Sequence, residues 1–214
     1  MTLDLDPDRR LALAYAPARA RPALEALWRL DVTFAAILAA GRDPMVSRLR
    51  LGWWREALEG LDRGAAPAEP LLRALAAHVL PAGTKGAGLA RMEEAWAILL
   101  SDQPLTPGEQ ARYADLRGGL LFEASARLLG VADFPVAASG RLWALVDLAR
   151  HGSGRDRVRI EVADSPGRWP RPLRPLGMLA MLARRDSARL DKPWEKQGNP
   201  ARMVRMIRHR LTGS

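Results

Sequence analysis

Apolar residues recur at three- and four-residue steps through most of the chain, and Pro and Gly fall mainly between the periodic stretches. The spacing predicts a helix over 22–40, opened by Pro22 and stopped by Gly41, and a second over 43–63, with Asp43 as N-cap before Pro44. In the second helix Leu49, Trp53 and Ala57 form one apolar row, and Leu51, Trp54, Leu58 and Leu61 form another. Two rows make a broad apolar face, which places this helix centrally. Further helices are predicted over 67–80, 89–102, 106–129, 136–151, 171–190 and from Asn199-Pro200 to about Leu211. Thr106-Pro107-Gly108-Glu109 reads as a capping box. Gly118 and Gly119 lie inside the helix it opens and cost roughly 1 kcal/mol each against alanine. They predict a kink, or the close approach of another helix or a ligand. Segments 81–88 and 151–156 read as loops, 157–170 as irregular, and 158–162 is the one weak strand candidate. The expected class is all-α, a helical bundle.

Composition narrows the chemistry. The 214 residues, 48% of them hydrophobic, suffice for one sizeable core, so 1–214 is expected to be a single domain. The chain has no cysteine, which excludes disulfides, thiolate zinc sites, iron–sulfur ligation and a cysteine nucleophile. Segment 1–10 is acidic and polar and lacks the pattern of a signal peptide, and the apolar run 34–40 is too short to cross a bilayer. The expected location is cytoplasmic, with peripheral membrane attachment left open.

The net charge of +9 is uneven: from Arg141 onward there are 17 Lys+Arg against 7 Asp+Glu, and before it 16 against 17. A basic last third attracts phosphates, an acidic protein partner or an anionic membrane surface; it is equally what a solvated, arginine-rich surface looks like. The last predicted helix interleaves Met203, Val204, Met206, Ile207 and Leu211 with Arg202, Arg205, Arg208 and Arg210, a pattern for lying on a membrane or partner, or for packing its apolar side on the bundle. No nucleic-acid-binding module is present, and no nucleic-acid partner is expected.

Several strings together resemble one family. Arg48-Leu49-Arg50-Leu51-Gly52-Trp53-Trp54-Arg55-Glu56-Ala57-Leu58 resembles the R-L-x-W-W-R-E/D-A-L segment of bacterial squalene/phytoene synthase-family proteins. The segment from Gly140 to Arg150 resembles the helix that carries the family's second aspartate-rich motif. Phe122-Glu123-Ala124 with Arg127-Leu128-Leu129 resembles the helix before it, and Pro172-Leu173-Arg174-Pro175-Leu176 and Arg208-His209-Arg210-Leu211 resemble the C-terminal helices. The resemblance implies a terpenoid-synthase-like bundle in a short version. Active members of the family condense two prenyl diphosphates head to head. Aspartates on two facing helices hold Mg²⁺, which neutralises the departing diphosphate.

The chain departs from that pattern at the ligands. The first D-D-x-x-D motif falls on Ala35-Ala36-Ile37-Leu38-Ala39, and alanine cannot ligate Mg²⁺. The second motif, roughly N-x-x-R-D-x-x-x-D, becomes a segment in which Asp147 and Arg150 remain, His151 and Arg155 replace aspartates, and Asp156 lies one residue on. Arg157-Val158-Arg159-Ile160 stands where R-x-Y-L-P is usual. The departure resembles a non-canonical, aspartate-poor branch that includes a mitochondrial complex I assembly factor of this fold. The reading is therefore a catalytically degenerate protein acting as a binding or assembly factor near the membrane, leaning against enzymatic activity and expecting no cofactor. The alternative is an active prenyltransferase of isoprenoid (carotenoid, squalene or hopanoid) biosynthesis, with Mg²⁺ on altered ligands Asp31, Asp147 and Asp156. A carrier of prenyl diphosphate or another lipid is a third reading.

Each candidate residue has a plain structural counterpart. Trp53 and Trp54 line a prenyl-sized cavity or are core. Arg48, Arg50 and Arg55 grip a diphosphate or are surface arginines. Asp31, one turn before Ala35, faces the old cavity or does not. Asp147 pairs with Arg150 at i,i+3 and with His151 at i,i+4; the group binds metal weakly, moves protons, or ties down a helix end.

Overall fold

The computed structural model describes residues 4–41, 43–64, 68–151, 158, 166–190 and 192–214. Every regular element among them is helical: α1 (Pro7–Ala14), α2 (Arg21–Ala40), α3 (Pro44–Gly60), α4 (Pro70–His78), α5 (Gly86–Ile98), α6 (Pro107–Ala114), α7 (Leu120–Leu128), α8 (Ala137–His151), α9 (Arg174–Ser187) and α10 (Pro200–Thr212). The strand candidate 158–162 lies outside the described residues except for Val158.

One local device starts many of these helices. Proline stands in the first turn of α1, α2, α3, α4, α6, α9 and α10. Before five of them a side chain caps a free backbone N–H: Asp6 accepts from Arg9, Asp43 from Met45, Glu69 from Leu72, Thr106 from Glu109 and Asn199 from Ala201. Each cap contributes about 1 kcal/mol. The predicted capping box is complete, with Thr106 N donating to Glu109 Oε2 at 2.8 Å. The Asp6 cap had no counterpart in the sequence reading, which assigned no element to 1–10; α1 is the result.

The central helix is α2, not α3. Leu24, Leu27, Trp28, Leu30, Asp31 and Phe34 are all buried, and α2 packs against α1, α3, α4, α5 and α7. Helix α3 packs chiefly on α5 and, less extensively, on α2. It therefore buries only one of its two apolar rows, Leu51, Trp54, Leu58 and Leu61. Leu49 (67% exposed) and Trp53 (48%) stand outside with Met45 and Val46, because nothing among the described residues packs over that side.

Other boundaries shift for non-local reasons. Helix α4 begins at Pro70, not 67. Helix α5 begins at Gly86 inside the expected loop, because Asp62, 24 residues earlier, accepts from Gly86 N at 2.8 Å and from Ala87 N at 2.9 Å. Those two bonds hold the Asp62 carboxyl below its ordinary pKa. Helix α9 is preceded by a 3₁₀ turn, Arg171–Leu173, and ends at Ser187 rather than 190.

The paired glycines do mark a close approach. Between α6 and α7 the chain makes a π-helical turn, Asp115–Gly119. Gly118 there lies so close to Gly140 of α8 that a Cβ on either would run into the other's carbonyl. This contact brings α8 against the turn and swings Arg117 into the interior, where it is 1% exposed. π-Turns of this kind recur at functional sites.

Helix α10 packs on α9 and α1. Its last carbonyls, from Arg210, Leu211 and Thr212, accept from the Arg174 guanidinium at 3.0, 2.6 and 3.3 Å. No helix among the described residues is long and apolar enough to cross a membrane.

Candidate functional site

Arg117 is the hub of the interior. Its Nε and Nη2 donate to Asp31 Oδ1 and Oδ2 at 2.8 and 3.0 Å, in the two-point geometry of a guanidinium on a carboxylate. Nη2 also lies 2.7 Å from Asp147 Oδ2 on α8, and Nη1 donates to the Tyr113 hydroxyl at 2.6 Å. The guanidinium carbon sits 4.4 Å from the Trp96 ring centroid and 4.9 Å from that of Trp143, so aromatic faces wall the charge in. From α1, Arg9 reaches the second side of Asp31, with Nη1 2.9 Å from Oδ2. Its Nε lies 2.9 Å from Asp6. His151 closes the chain of charges, its Nδ1 3.2 Å from Asp147 Oδ1.

The electrostatics follow from these contacts. Burial pushes the Asp31 and Asp147 carboxyls up, but Arg117, aided by Arg9, outweighs it and holds both below the usual carboxylate range. The same carboxylates keep Arg117 charged despite its burial. The hydrogen bond to Asp147 raises His151. At Asp6 burial wins over Arg9, and its pKa rises.

A second ionic cluster adjoins the first. Arg202 of α10 donates to Asp8 Oδ2 through Nε at 3.0 Å and Nη2 at 2.9 Å, and to Asp186 Oδ2 through Nη1 at 2.8 Å. Arg150 of α8 donates to Asp186 Oδ2 at 2.6 Å. Between the clusters lies a cavity of about 30 Å³ lined by Asp6, Asp8, Arg9, Asp147, Arg150 and Arg202 among others. That is room for about one water molecule, whereas sites for drug-sized ligands run to several hundred Å³. Larger hollows lie elsewhere: one of about 650 Å³ between α2 and α4 beside Trp54, and one of about 510 Å³ bordered by Arg48, Arg55, Glu93 and Arg112.

The candidates from the sequence do not all come together. Asp31, Asp147 and His151 are brought together in the first cluster. Asp147 and Arg150 do not pair, contrary to the i,i+3 expectation: Asp147 turns to Arg117 of the π-turn and Arg150 to Asp186 of α9, because these elements bring buried partners of opposite charge to each. Arg48, Arg50, Arg55 and Trp53 are exposed on α3, away from that centre, while Trp54 is buried against Phe34 with centroids 6.2 Å apart. Trp53, expected in core or cavity, meets only the edge of Trp54 on its way to the surface. Asp156 lies outside the described residues. Asp43 caps α3, with Met45 N donating at 2.8 Å.

The described residues do not fit a Mg²⁺ cluster. Ala35, Ala36 and Ala39 supply no side-chain oxygen. The carboxylates that remain, Asp31 and Asp147, already spend their oxygens on Arg9, Arg117 and His151. No group of three or more His, Asp or Glu among the described residues is arranged to hold a metal ion.

Sequence reasoning missed Arg9, Arg117, Asp8, Asp186 and Arg202, which make most of these bonds. One signal was available: Arg117 is a charge beside two glycines in an otherwise apolar stretch, Leu116 to Phe122.

An all-α bundle in which Asp31 of α2 and Asp147 of α8 meet at Arg117 is consistent with the terpenoid-synthase-like class. The chain belongs to the squalene/phytoene synthase family, whose sequence model matches residues 4–154. No curated protein sequence and no solved structure gives a significant match.

Proposed function

We propose that this chain is a catalytically degenerate member of its family, acting as a single domain in binding or assembly near the membrane rather than as a prenyltransferase. The observation that carries the reading is Arg117 between Asp31 and Asp147, with its Nη2 within 3.0 Å of both. Prenyl diphosphate ionisation needs positive charge that binds and then accompanies the leaving diphosphate, which is the work of an exchangeable divalent cation. A guanidinium fixed by two carboxylates and three aromatic rings supplies charge to the protein's own aspartates instead. The cavity of about 30 Å³ beside Asp147 supports the same reading. Mg²⁺ enters the account only under the prenyltransferase alternative.

The test is release of diphosphate from farnesyl or geranylgeranyl diphosphate by the pure protein with Mg²⁺. The expected result is release no faster than without protein. Sustained release that Asp147→Ala abolishes overturns the reading in favour of the prenyltransferase. The assembly role has its own test: deletion of the gene is expected to impair a membrane complex or respiration, and intact assembly and respiration count against it.

A further inference from the structure

Helix α10 divides its residues sharply. Arg202, Met206 and His209 are buried towards α9 and α1. Val204, Ile207, Arg208 and Leu211, at three- and four-residue steps, form one exposed stripe, with Val204 66% and Leu211 73% exposed. The charges divide the same way. The arginines that turn inwards are paired, Arg202 with Asp8 and Asp186, and Arg205 with Glu195. Others near this helix are not: Arg168, Arg171, Arg184, Arg208 and Arg210 have no carboxylate within 4.0 Å among the described residues. Arg168, Arg171 and Arg210 all act on Arg174, and Arg184 acts on His209, which gathers them at the C-terminal end of α10. From Lys196 to Ser214 there are five Lys+Arg and no Asp or Glu.

We propose that this outer face of α10 is a docking surface for an anionic phospholipid bilayer. Exposed aliphatic side chains near guanidinium groups that have no carboxylate partner among the described residues match a medium that is negative at its surface and apolar just beneath it. A helix face is convex, and a convex aliphatic ridge sinks into a deformable bilayer, whereas a folded acidic partner would have to offer a groove. The proposal deepens the membrane-proximal part of the proposed function and rests on that part alone; the diphosphate assay tests the other part separately.

The experiment is co-sedimentation of the full chain with phosphatidylcholine vesicles containing about a third phosphatidylglycerol, and with pure phosphatidylcholine vesicles. The expected result is sedimentation with the anionic vesicles only. Binding should weaken about five-fold in Arg208→Gln and in Arg171→Gln, and at least about ten-fold in Val204→Asp and Leu211→Asp. Leu49→Asp, equally exposed but on α3, should bind like the parent protein, and thermal melts should report that each variant folds. No sedimentation with anionic vesicles overturns the proposal. So does unchanged binding by the α10 variants, equal weakening by Leu49→Asp, or retention of an acidic protein without any vesicle binding.

Discussion

Arg117 and Asp31 meet side-on inside the bundle, Nε to Oδ1 at 2.8 Å and Nη2 to Oδ2 at 3.0 Å, across 86 residues of sequence. Neither has measurable contact with solvent beyond 1% of the arginine. A buried ion pair gains little over a well-packed apolar pair, but one left half-made is costly. Arg117→Ala would strand Asp31 and Asp147 together without their main counter-charge. The expected loss is about 3–5 kcal/mol of unfolding free energy, read from urea denaturation. A loss under 1 kcal/mol would mean that the interior is wetter than these contacts imply.

The pH dependence has separable parts. His209 is buried, and burial, together with Arg174 and Arg184 nearby, lowers its pKa from 6.5 to about 4. A base depressed in the folded state is protonated first in the unfolded chain. Stability therefore falls as pH drops from about 6.5 to about 4, by about 3 kcal/mol at most. Asp31 and Asp147 act lower: their contribution is complete above the ordinary carboxylate pKa and is lost as pH falls through their depressed folded values. Asp6 and Glu93, raised by burial, work in the opposite sense. Comparing His209→Gln with the parent protein by thermal melts from pH 7 to pH 4 isolates the histidine, and the variant should show the shallower decline.

The contact between Gly118 and Gly140 admits no side chain. Gly118→Ala and Gly140→Ala should each push α8 from the π-turn and cost about 3 kcal/mol by overpacking. Thermal denaturation reads this directly, and near-parent stability in both variants would refute the close approach.

The tryptophan pair should behave asymmetrically. Trp54, 8% exposed and edge-on to Phe34, should cost about 3–5 kcal/mol when replaced by alanine. Trp53→Ala, at a half-exposed position, should cost less than about 1 kcal/mol. Equal losses in chemical denaturation would restore α3 to the central place its two apolar rows suggested.

That reversal marks what the sequence could and could not convey. Helix positions were legible because proline, capping side chains and three-to-four periodicity are local: α2, α3, α6 and α10 begin within a residue or so of their predicted starts. Which apolar row is covered depends on neighbours, and periodicity has no information about neighbours; hence the misplacing of α3. The start of α5 depended on Asp62, and the partner of Asp147 on a π-turn 30 residues earlier. Asp31 stood out in the sequence because it sits one turn from the aligned motif, but spacing alone left open whether it faces the interior. Its counter-ions did not stand out, because Arg9 and Arg117 reach it from helices whose placement no sequence spacing encodes.

The most direct measurement is calorimetric titration of the pure protein with a non-hydrolysable geranylgeranyl diphosphate analogue, with and without Mg²⁺. Arg117 committed to Asp31 and Asp147 predicts no Mg²⁺-dependent binding. Tight binding that requires Mg²⁺ and disappears in Asp147→Ala would contradict the account and place a working diphosphate site in the interior.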